Sequence, residues 1–503
     1  MAFKKKKKKI VIGTVTTMLI ITLVTIIASA ILAKFGIQAE KTSLANGSLI
    51  VSFTSVKNFL SVEGIQYLFN NVILNFQMFD PIALIIVSIL AFGILEVSGL
   101  LQMLTTPLKH FTNKGLTTFI VLIGCISTFF GEYSFVFMVP FAGMLYRTLG
   151  KNGMLGIVTS FLGITLGYGS GLIFNYDQVT LGVLTQAAAT LEVDKNYLFN
   201  SFSSSIIMTA SMILFVPIIS SLIENYVSPY FDKPTVTNNE RNVSKKALFY
   251  AGLSFLILLI IMICMIIPGR FGILLDTNEN TYFNQLFSPN APFKNGIILM
   301  FAILTIIPSY IYGKISKNIE TSVGITDGLA IGLQDCGCLF MISFFGSIMI
   351  SVFEWTGIGE LFVCKIIEIL SKFSISGILL ITIFFILVII MTVFVPSTLT
   401  KWSLMSPIVV PLFMRANITP DFTQFIFQVA DGVGKSVSVF FPYFLIMIGL
   451  IHKFNSEDMK VGMGNIVKRT MPVVLITAAL WIIFFIIWYL AGFPVGISEY
   501  ATL

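Results

Sequence analysis

Apolar residues run along this chain in blocks of about 20, the length that crosses a bilayer as a helix, and short basic clusters separate the blocks. The first block, Ile10 to Phe35, directly follows Lys4 to Lys9. It is longer than the apolar core of a secretory signal and lacks a small-residue cleavage site, so it reads as an uncleaved first helix. Further basic clusters stand at Lys109/Lys114, Arg147/Lys151, Lys233/Arg241/Lys245/Lys246, Lys314/Lys317 and Lys453/Lys460/Lys468/Arg469. If each faces the cytoplasm, an even number of crossings must separate any two. Helices near 82–101, 153–190, 199–225, 247–268, 296–312, 332–353, 421–452 and 471–491 satisfy that condition. Together with 10–35 they predict nine crossings, a cytoplasmic N-terminus and an extracytoplasmic tail over 492–503.

Two apolar segments begin and end on the same side. One spans 117–147 and is broken at Gly131-Glu132; the other spans 374–414 and is broken over Pro396 to Trp402. They predict re-entrant hairpins entering from opposite faces. Non-helical backbone at membrane depth survives only where protein buries it or water reaches it, so both breaks should line a cavity. Sliding the chain on itself superposes Met138-Val-Pro140 on Met405-Ser-Pro407, Gly167 on Gly434 and Tyr176 on Tyr443. The expected organisation is therefore a polybasic terminus at 1–9, a first half at 10–225, a cytoplasmic connection at 226–246 and a second half at 247–491. The fold class is an all-α polytopic membrane protein, about nine transmembrane helices plus two re-entrant hairpins in an inverted repeat, as in secondary transporters.

Composition agrees: 56% hydrophobic and 11% charged residues, with a mean hydropathy of +0.93, exclude an ordinary soluble globule. The net charge of +7 comes mostly from Lys4 to Lys9, a solvated orientation signal or a contact for anionic lipid, so nucleic acid is not an expected partner. The lipid bilayer and a small-molecule substrate are. Five cysteines and two histidines offer neither a disulfide framework nor a zinc site.

Two crossings are too long and too rich in glycine to be single helices. The first reads Gly163-Ile-Thr-Leu-Gly167-Tyr-Gly169-Ser-Gly171 and reaches Asn175-Tyr176-Asp177; the second reads Ala430-Asp431-Gly432-Val-Gly434-Lys435 and reaches Pro442-Tyr443. Unwound backbone exposes carbonyls and N–H groups, so Gly169, Gly434, Asp177 and Asp431 become candidate substrate-binding positions; the alternative is that the glycines permit close helix packing. Ionisable residues at membrane depth are costly and mark function. They are Glu96, Glu132, Asp177, Asp335, Lys401, Asp431 and Lys435. Glu96 and Asp335 are also readable as interface residues or partners of a neighbouring helix. Asp431 and Lys435, four apart, share one helix face and can pair; Lys435, Asp431, Asp177 and Glu132 are the candidate coupling groups. Enzyme readings fail. Tyr176-Asp177 and Gly169-Ser170-Gly171 each match only half of an intramembrane protease pattern, and His110 and His452 stand beside loops. A channel is a competitor, but buried carboxylates in an inverted repeat favour a carrier, with a dicarboxylate or an amino-acid-like solute as the alternative cargo.

These motifs resemble the para-aminobenzoyl-glutamate transporter family. The resemblance covers most of the chain and is carried by Lys401-Trp-Ser-Leu-Met-Ser-Pro-Ile-Val-Val-Pro-Leu-Phe-Met414, by Asp431 through Pro442-Tyr-Phe444, by Asp177 with Leu184-Thr-Gln-Ala-Ala188, and by Ile487-Trp-Tyr-Leu-Ala-Gly-Phe-Pro-Val-Gly496. It implies a homodimer in the cell membrane, nine spans and two hairpins per protomer, and cation-driven movement of para-aminobenzoyl-glutamate or export of sulfonamide-like antimetabolites. Asp177 and Asp431 resemble the family's central aspartates, Ser397 and Trp402 its substrate contacts in the second hairpin, and Glu132 stands where the family has an aspartate. Gly171 and Lys435 replace two asparagines expected in the broken helices. An asparagine carbonyl suits a hard cation; a glycine has none to give and an ammonium repels the ion. No cofactor is expected, and the coupling ion is left open between sodium and a proton, with Lys435 as a built-in cation.

Overall fold

The computed structural model describes residues 12–45, 48–191, 194–231, 241–371, 377–455, 459 and 461–503. Lys4 to Lys9, Lys233, Lys372, Ser374 and Lys460 lie outside them, as does the centre of the 226–246 connection. The chain is almost entirely helical: α1 (Thr14–Lys34), α2 (Val62–Gln77), α3 (Asp80–Ser98), α4 (Asn113–Ser127), α5 (Tyr133–Thr148), α6 (Gly153–Leu166), α7 (Tyr176–Ala189), α8 (Ser205–Tyr226) and α9 (Lys245–Cys264), followed by α10 (Pro292–Ile315), α11 (Val323–Leu333), α12 (Gly337–Thr356), α13 (Ile358–Ser371), α14 (Ile378–Phe394), α15 (Thr398–Arg415), α16 (Pro420–Lys435), α17 (Pro442–Lys453) and α18 (Met463–Ala491).

Among the described residues, eight helical stretches are long and apolar enough to cross a membrane. They include Asn113–Phe130, which is one arm of a hairpin, and they leave out both broken crossings, whose halves are individually too short. Setting the arm aside and adding the two broken crossings returns the nine expected from the basic clusters.

Each hairpin is held at its open end and its tip. In the first, Thr112 caps α4 by accepting from Gly115 N at 3.1 Å, and Thr117 Oγ1 meets Tyr146 OH at 3.1 Å across the open end. Its tip is a single 3-10 turn, Thr128–Phe130, closed by Gly131 at φ +58°, with Ser134 Oγ donating to Ser127 O. In the second, Phe384 of α14 packs on Phe413 of α15 with ring centroids 5.0 Å apart, and Ser397 caps α15. The hairpins enter from opposite ends. Arg147, at the open end of the first, pairs with Glu96 at 2.7 Å near the end of α3 and lies 5.1 Å from the ring of Phe454, just past α17. The open end of the second leads through Thr419, at the start of the same broken crossing, where Thr419 N donates to Ala501 O at 3.0 Å.

The broken crossings pass against each other at glycines. An added Cβ on Gly169 would stand 2.1 Å from Val429 Cγ2, and one on Gly432 would stand 2.5 Å from both Thr165 O and Tyr168 Cβ. Unwound backbone in the first break is satisfied by α8: Ser211 Oγ donates to Gly169 O at 3.2 Å, Gly171 N to Met208 O at 3.3 Å, and Thr209 Oγ1 to Leu172 O at 2.5 Å. This is how irregular chain is tolerated inside a bilayer.

An antiparallel β-ribbon follows α1, with β1 (Gln38–Ala45) paired to β2 (Ser48–Ser55). It is tied to α13 by Lys41–Glu360 at 2.6 Å and by Glu40 N donating to Glu368 at 2.8 Å.

Candidate functional site

The two tips and the two breaks meet around a cavity of about 940 Å³. Glu132 and Tyr133 of the first tip, Val395 to Thr398 of the second, Tyr176 and Asp177 of the first crossing and Tyr443 of the second all line it. Asp80, Glu279, Lys294 and Glu360 line it as well, Glu360 being paired with Lys41 of the β-ribbon.

Why the breaks sit where they do follows from local chemistry. Asn175 ends the first unwound stretch by capping α7: its Oδ1 accepts from Gln178 N at 2.7 Å while its Nδ2 donates to Tyr168 O at 3.0 Å. One side chain thus starts a helix and satisfies a carbonyl of the break. Asp177 follows in the first turn of α7, where the helix N-terminus favours negative charge. It is 6% exposed, and its Oδ2 is buried on the side of the equally buried Tyr168 hydroxyl. In the second break, Ser438 Oγ donates to Val393 O at 2.8 Å, which fixes the break against the tip of the second hairpin.

Behind Glu132 lies a closed network of charges. Lys435 Nζ donates to Glu132 Oε1 at 2.7 Å and to Thr398 Oγ1 at 2.6 Å, and stands 3.2 Å from Asp431 Oδ2. Thr398 Oγ1 in turn donates to Asp431 Oδ2 at 2.6 Å, and Thr392 Oγ1 to Asp431 Oδ1 at 3.0 Å. Lys401 Nζ donates to Asp431 Oδ1 and also to Val395 O at 2.6 Å, so it caps the broken end of α14. The rings of Tyr168 and Phe441 flank the Lys435 ammonium at 5.1 and 5.2 Å, a cation–π environment. Lys401, Asp431 and Lys435 are wholly buried, whereas the Glu132 side chain is 39% exposed to the cavity. Two ammonium groups and two carboxylates balance, which is the condition under which buried charge is tolerated.

The structure thus brings together Glu132, Asp431 and Lys435, with Asp177 and exposed Ser397 on the cavity wall. The expected Asp431–Lys435 pair is present, but as one link of a chain rather than an isolated bridge. Four expected substrate contacts are absent from the cavity lining, the first being Asp431, wholly buried in the network just described. Trp402 is wholly buried: its Nε1 donates to Thr185 Oγ1 at 2.9 Å and its ring packs on Phe427 at 4.5 Å. Gly169 and Gly434 are closed in by Val429 and by Thr392 with Ile389 O, so both are close-packing glycines here. Glu96 bonds to Arg147, and Asp335 is exposed at φ +59° before α12. Lys401 and Thr398 carried a legible signal: three residues apart, they share a face of α15 with the tip. Of the tyrosines of the wall, Tyr176 and Tyr443 carried a signal only as matched positions of the repeat, and Tyr133 carried none, because aromatic residues are common throughout the chain.

Among the described residues no group of three His, Cys, Asp or Glu side chains is placed to hold a metal. A sodium ion at Asp431 does not fit the residues present. Both carboxylate oxygens already accept from hydroxyl and ammonium donors, and Lys435 fills the place a cation would take.

Comparison with known proteins resolves the family. The AbgT putative transporter family matches residues 10–503. The chain belongs to that family. Its relatives include the p-aminobenzoyl-glutamate transport protein of Escherichia coli (strain K12), 25% identical over 490 residues that cover 96% of this chain and 92% of that protein. The AbgT chain also shares its fold with Neisseria gonorrhoeae MtrF, a structure described as illuminating a class of antimetabolite efflux pumps: 23% identity, 98% of each chain covered, TM-score 0.50. The YdaH transporter of Alcanivorax borkumensis is 21% identical over 96% of this chain and 99% of that one, with a TM-score of 0.48. The AbgT protein is accordingly a multi-pass membrane transporter and not an enzyme.

Proposed function

We propose that this AbgT protein is a secondary active transporter of small aromatic solutes that carry carboxylate or amide groups, para-aminobenzoyl-glutamate and antimetabolites of similar chemistry among them. The observation that carries the reading is the cavity, which reaches both hairpin tips and ends on the Glu132–Lys435–Asp431–Lys401 network. The substrate named for the Escherichia coli relative supports the solute class. Asp177, Glu132 and Ser397 contact the solute. Trp402 positions α15 against α7 rather than stacking on the solute.

Transport proceeds by alternating access, the two hairpins and broken crossings moving as a unit. Three bonds support that grouping: Trp402 to Thr185, Thr185 to Gln424, and Gln424 Nε2 to Gln178 O at 3.0 Å join α7 to α15 and α16. The opposed hairpins support an inverted repeat, and with the orientation given by the basic clusters the cavity is open to the outside of the cell membrane. The protein acts as a homodimer.

Lys435 substitutes for a bound cation. Its ammonium is held by Glu132, Asp431 and Thr398, and a tethered charge needs no external ion to neutralise Asp431. Transport is then sodium-independent, either pH-linked or a passive exchange. Counterflow of labelled para-aminobenzoyl-glutamate into proteoliposomes, in sodium and in choline media across pH, tests this. Saturable counterflow of equal rate in both media is expected. Large unitary currents would overturn the carrier, and strict sodium dependence would overturn the role of Lys435.

A further inference from the structure

Between α9 and α10 the chain folds into a small body of its own. Leu274 N donates to Met265 O at 3.1 Å just past α9, and Phe293 N donates to Leu274 O at 2.9 Å at the start of α10, so both ends are fastened. Asp276 organises the middle: its backbone N–H donates to Gln285 O at 2.9 Å, its Oδ1 accepts from Asn278 N at 3.1 Å and its Oδ2 from Ser288 Oγ at 2.8 Å. Thr281 caps a short helix, Tyr282–Phe287, by accepting from Asn284 N at 3.3 Å, and Tyr282 OH donates to Ile266 O at 3.0 Å. A segment bonded in this way moves as a piece. In the orientation proposed above it lies outside, on the side to which the cavity opens, and Glu279, Asn284, Phe287 and Ser288 form part of the cavity wall.

The underside of this segment rests on the first broken crossing. Leu275, Leu286 and Phe287 bury themselves with Val179 of α7 in an apolar cluster separate from the main core. Phe283 stands edge-on to Phe174 of the unwound stretch, ring centroids 5.1 Å apart, and to Phe202 at 5.5 Å; Phe287 stands edge-on to Tyr176 at 5.4 Å. Among the described residues no hydrogen bond or ion pair joins 265–291 to the unwound stretch or to α7. Ring edges and aliphatic carbons hold by burial alone, so this seam can part without leaving a buried polar group unpaired. It also joins two bodies that the carrier reading sets in relative motion. Phe174, Tyr176 and Val179 belong to a broken crossing, which travels with the hairpins. The segment hangs instead from α9 and α10, and α10 packs along α3.

We infer that segment 265–291 is an outer latch, which clasps the start of α7 through Phe283, Leu286 and Phe287 while the cavity is open and releases it before the hairpins and broken crossings carry the solute across. The inference rests on the carrier reading above and adds the step that commits the moving unit. The latch stabilises the outward-open arrangement against every other. The apparent affinity for external solute therefore includes its strength, because only the outward-open fraction binds from that side.

The test fastens the latch and then loosens it, using the full chain in proteoliposomes with para-aminobenzoyl-glutamate as the probe. Phe174→Cys and Phe283→Cys are joined by a short, reducible bifunctional thiol reagent, in a chain whose accessible Cys264 and Cys338 are replaced by Ser; Cys125, Cys336 and Cys364 are buried. Bridging should preserve the thermal shift given by the probe and slow its counterflow at least about tenfold, as a gate that cannot open does. Reduction of the bridge should restore the rate, with the unbridged pair as its own control. Phe283→Ala, at a residue that does not line the cavity, loosens the latch. It should raise the half-saturating external concentration at least about threefold with the maximal rate undiminished, because a smaller fraction faces out. Counterflow that the bridge does not slow overturns the latch. So does a Phe283→Ala chain with a lower maximal rate at unchanged half-saturation, the mark of mere structural damage, and that variant decides the matter if the cysteine pair fails to insert. Loss of the carrier reading looks different: the wild-type chain would show no saturable counterflow before any bridge is made.

Discussion

The two broken crossings have the same plan and opposite contents. In the second, every residue of α16 is buried; Asp431 and Lys435 are neutralised within the protein by Lys401 and Glu132, and Asp421 accepts from Tyr197 OH at 2.5 Å. In the first, a single carboxylate, Asp177, stands on the cavity wall with no ion-pair partner among the described residues, its Oδ2 buried beside Tyr168 OH, and Leu172 and Ile173 of the unwound stretch are each 52% exposed. A break at membrane depth can thus bring its own counter-charges, or keep a lone carboxylate beside the cavity. The second holds the hairpin tips together through Lys435 and Lys401; the first is the one the proposed function assigns to the solute.

Four substitutions test that division. Lys435→Met should have the largest effect. Removing one partner of a buried ion pair leaves the other uncompensated, at a cost of about 3–5 kcal/mol, so thermal unfolding in detergent should fall steeply and transport should cease. Adding Glu132→Gln should recover part of the loss, since the two share one network. An unshifted melt for Lys435→Met would show the second break to be as open as the first.

Gly169→Ala comes next. Its methyl would collide with Val429, and overpacking of this kind costs roughly 1–3 kcal/mol. The double change Gly169→Ala with Val429→Ala should restore the melting temperature and the flux together. If the flux stayed low in a stable double variant, Gly169 would be a substrate contact after all.

Asp177→Asn should leave insertion and melting near wild type, since it removes a buried charge and keeps an oxygen for the neighbouring Tyr168 hydroxyl, while lowering counterflow at least about tenfold, near 1.4 kcal/mol. Trp402→Phe should have the smallest effect. It deletes the bond to Thr185, worth about 1 kcal/mol net, and should lower the melting temperature slightly with unchanged apparent affinity. A weaker apparent affinity at constant stability would return Trp402 to the binding site.

The fold was largely legible because membrane constraints are severe: a bilayer permits few breaks, and Gly131-Glu132, Pro396 and the glycine-rich stretches mark them. The β-ribbon at 38–55 was not, since its short alternation of Ser, Thr and apolar residues gives little signal between two long apolar blocks. Helices α2 and α13 were missed for a related reason, as neither changes the parity on which the crossing count depends. At the site, the ionisable residues were all visible, but who pairs with whom is a long-range fact. Glu132 and Lys435 are 303 positions apart. The glycines illustrate the limit best, because a residue with no side chain looks the same whether it admits a ligand or a neighbouring helix.

The placement of Trp402 also makes it a natural optical reporter. Its indole bridges the first crossing, through Thr185, and the second, through Phe427. Any movement of α15 away from α7 must break that bond and let the ring meet a more polar medium. The chain has four tryptophans, so replacing Trp355, Trp481 and Trp488 with Phe would leave a single emitter. A red shift on adding solute would then time the parting of the two crossings directly, without any label. A spectrum that held still through turnover would mean that they travel together.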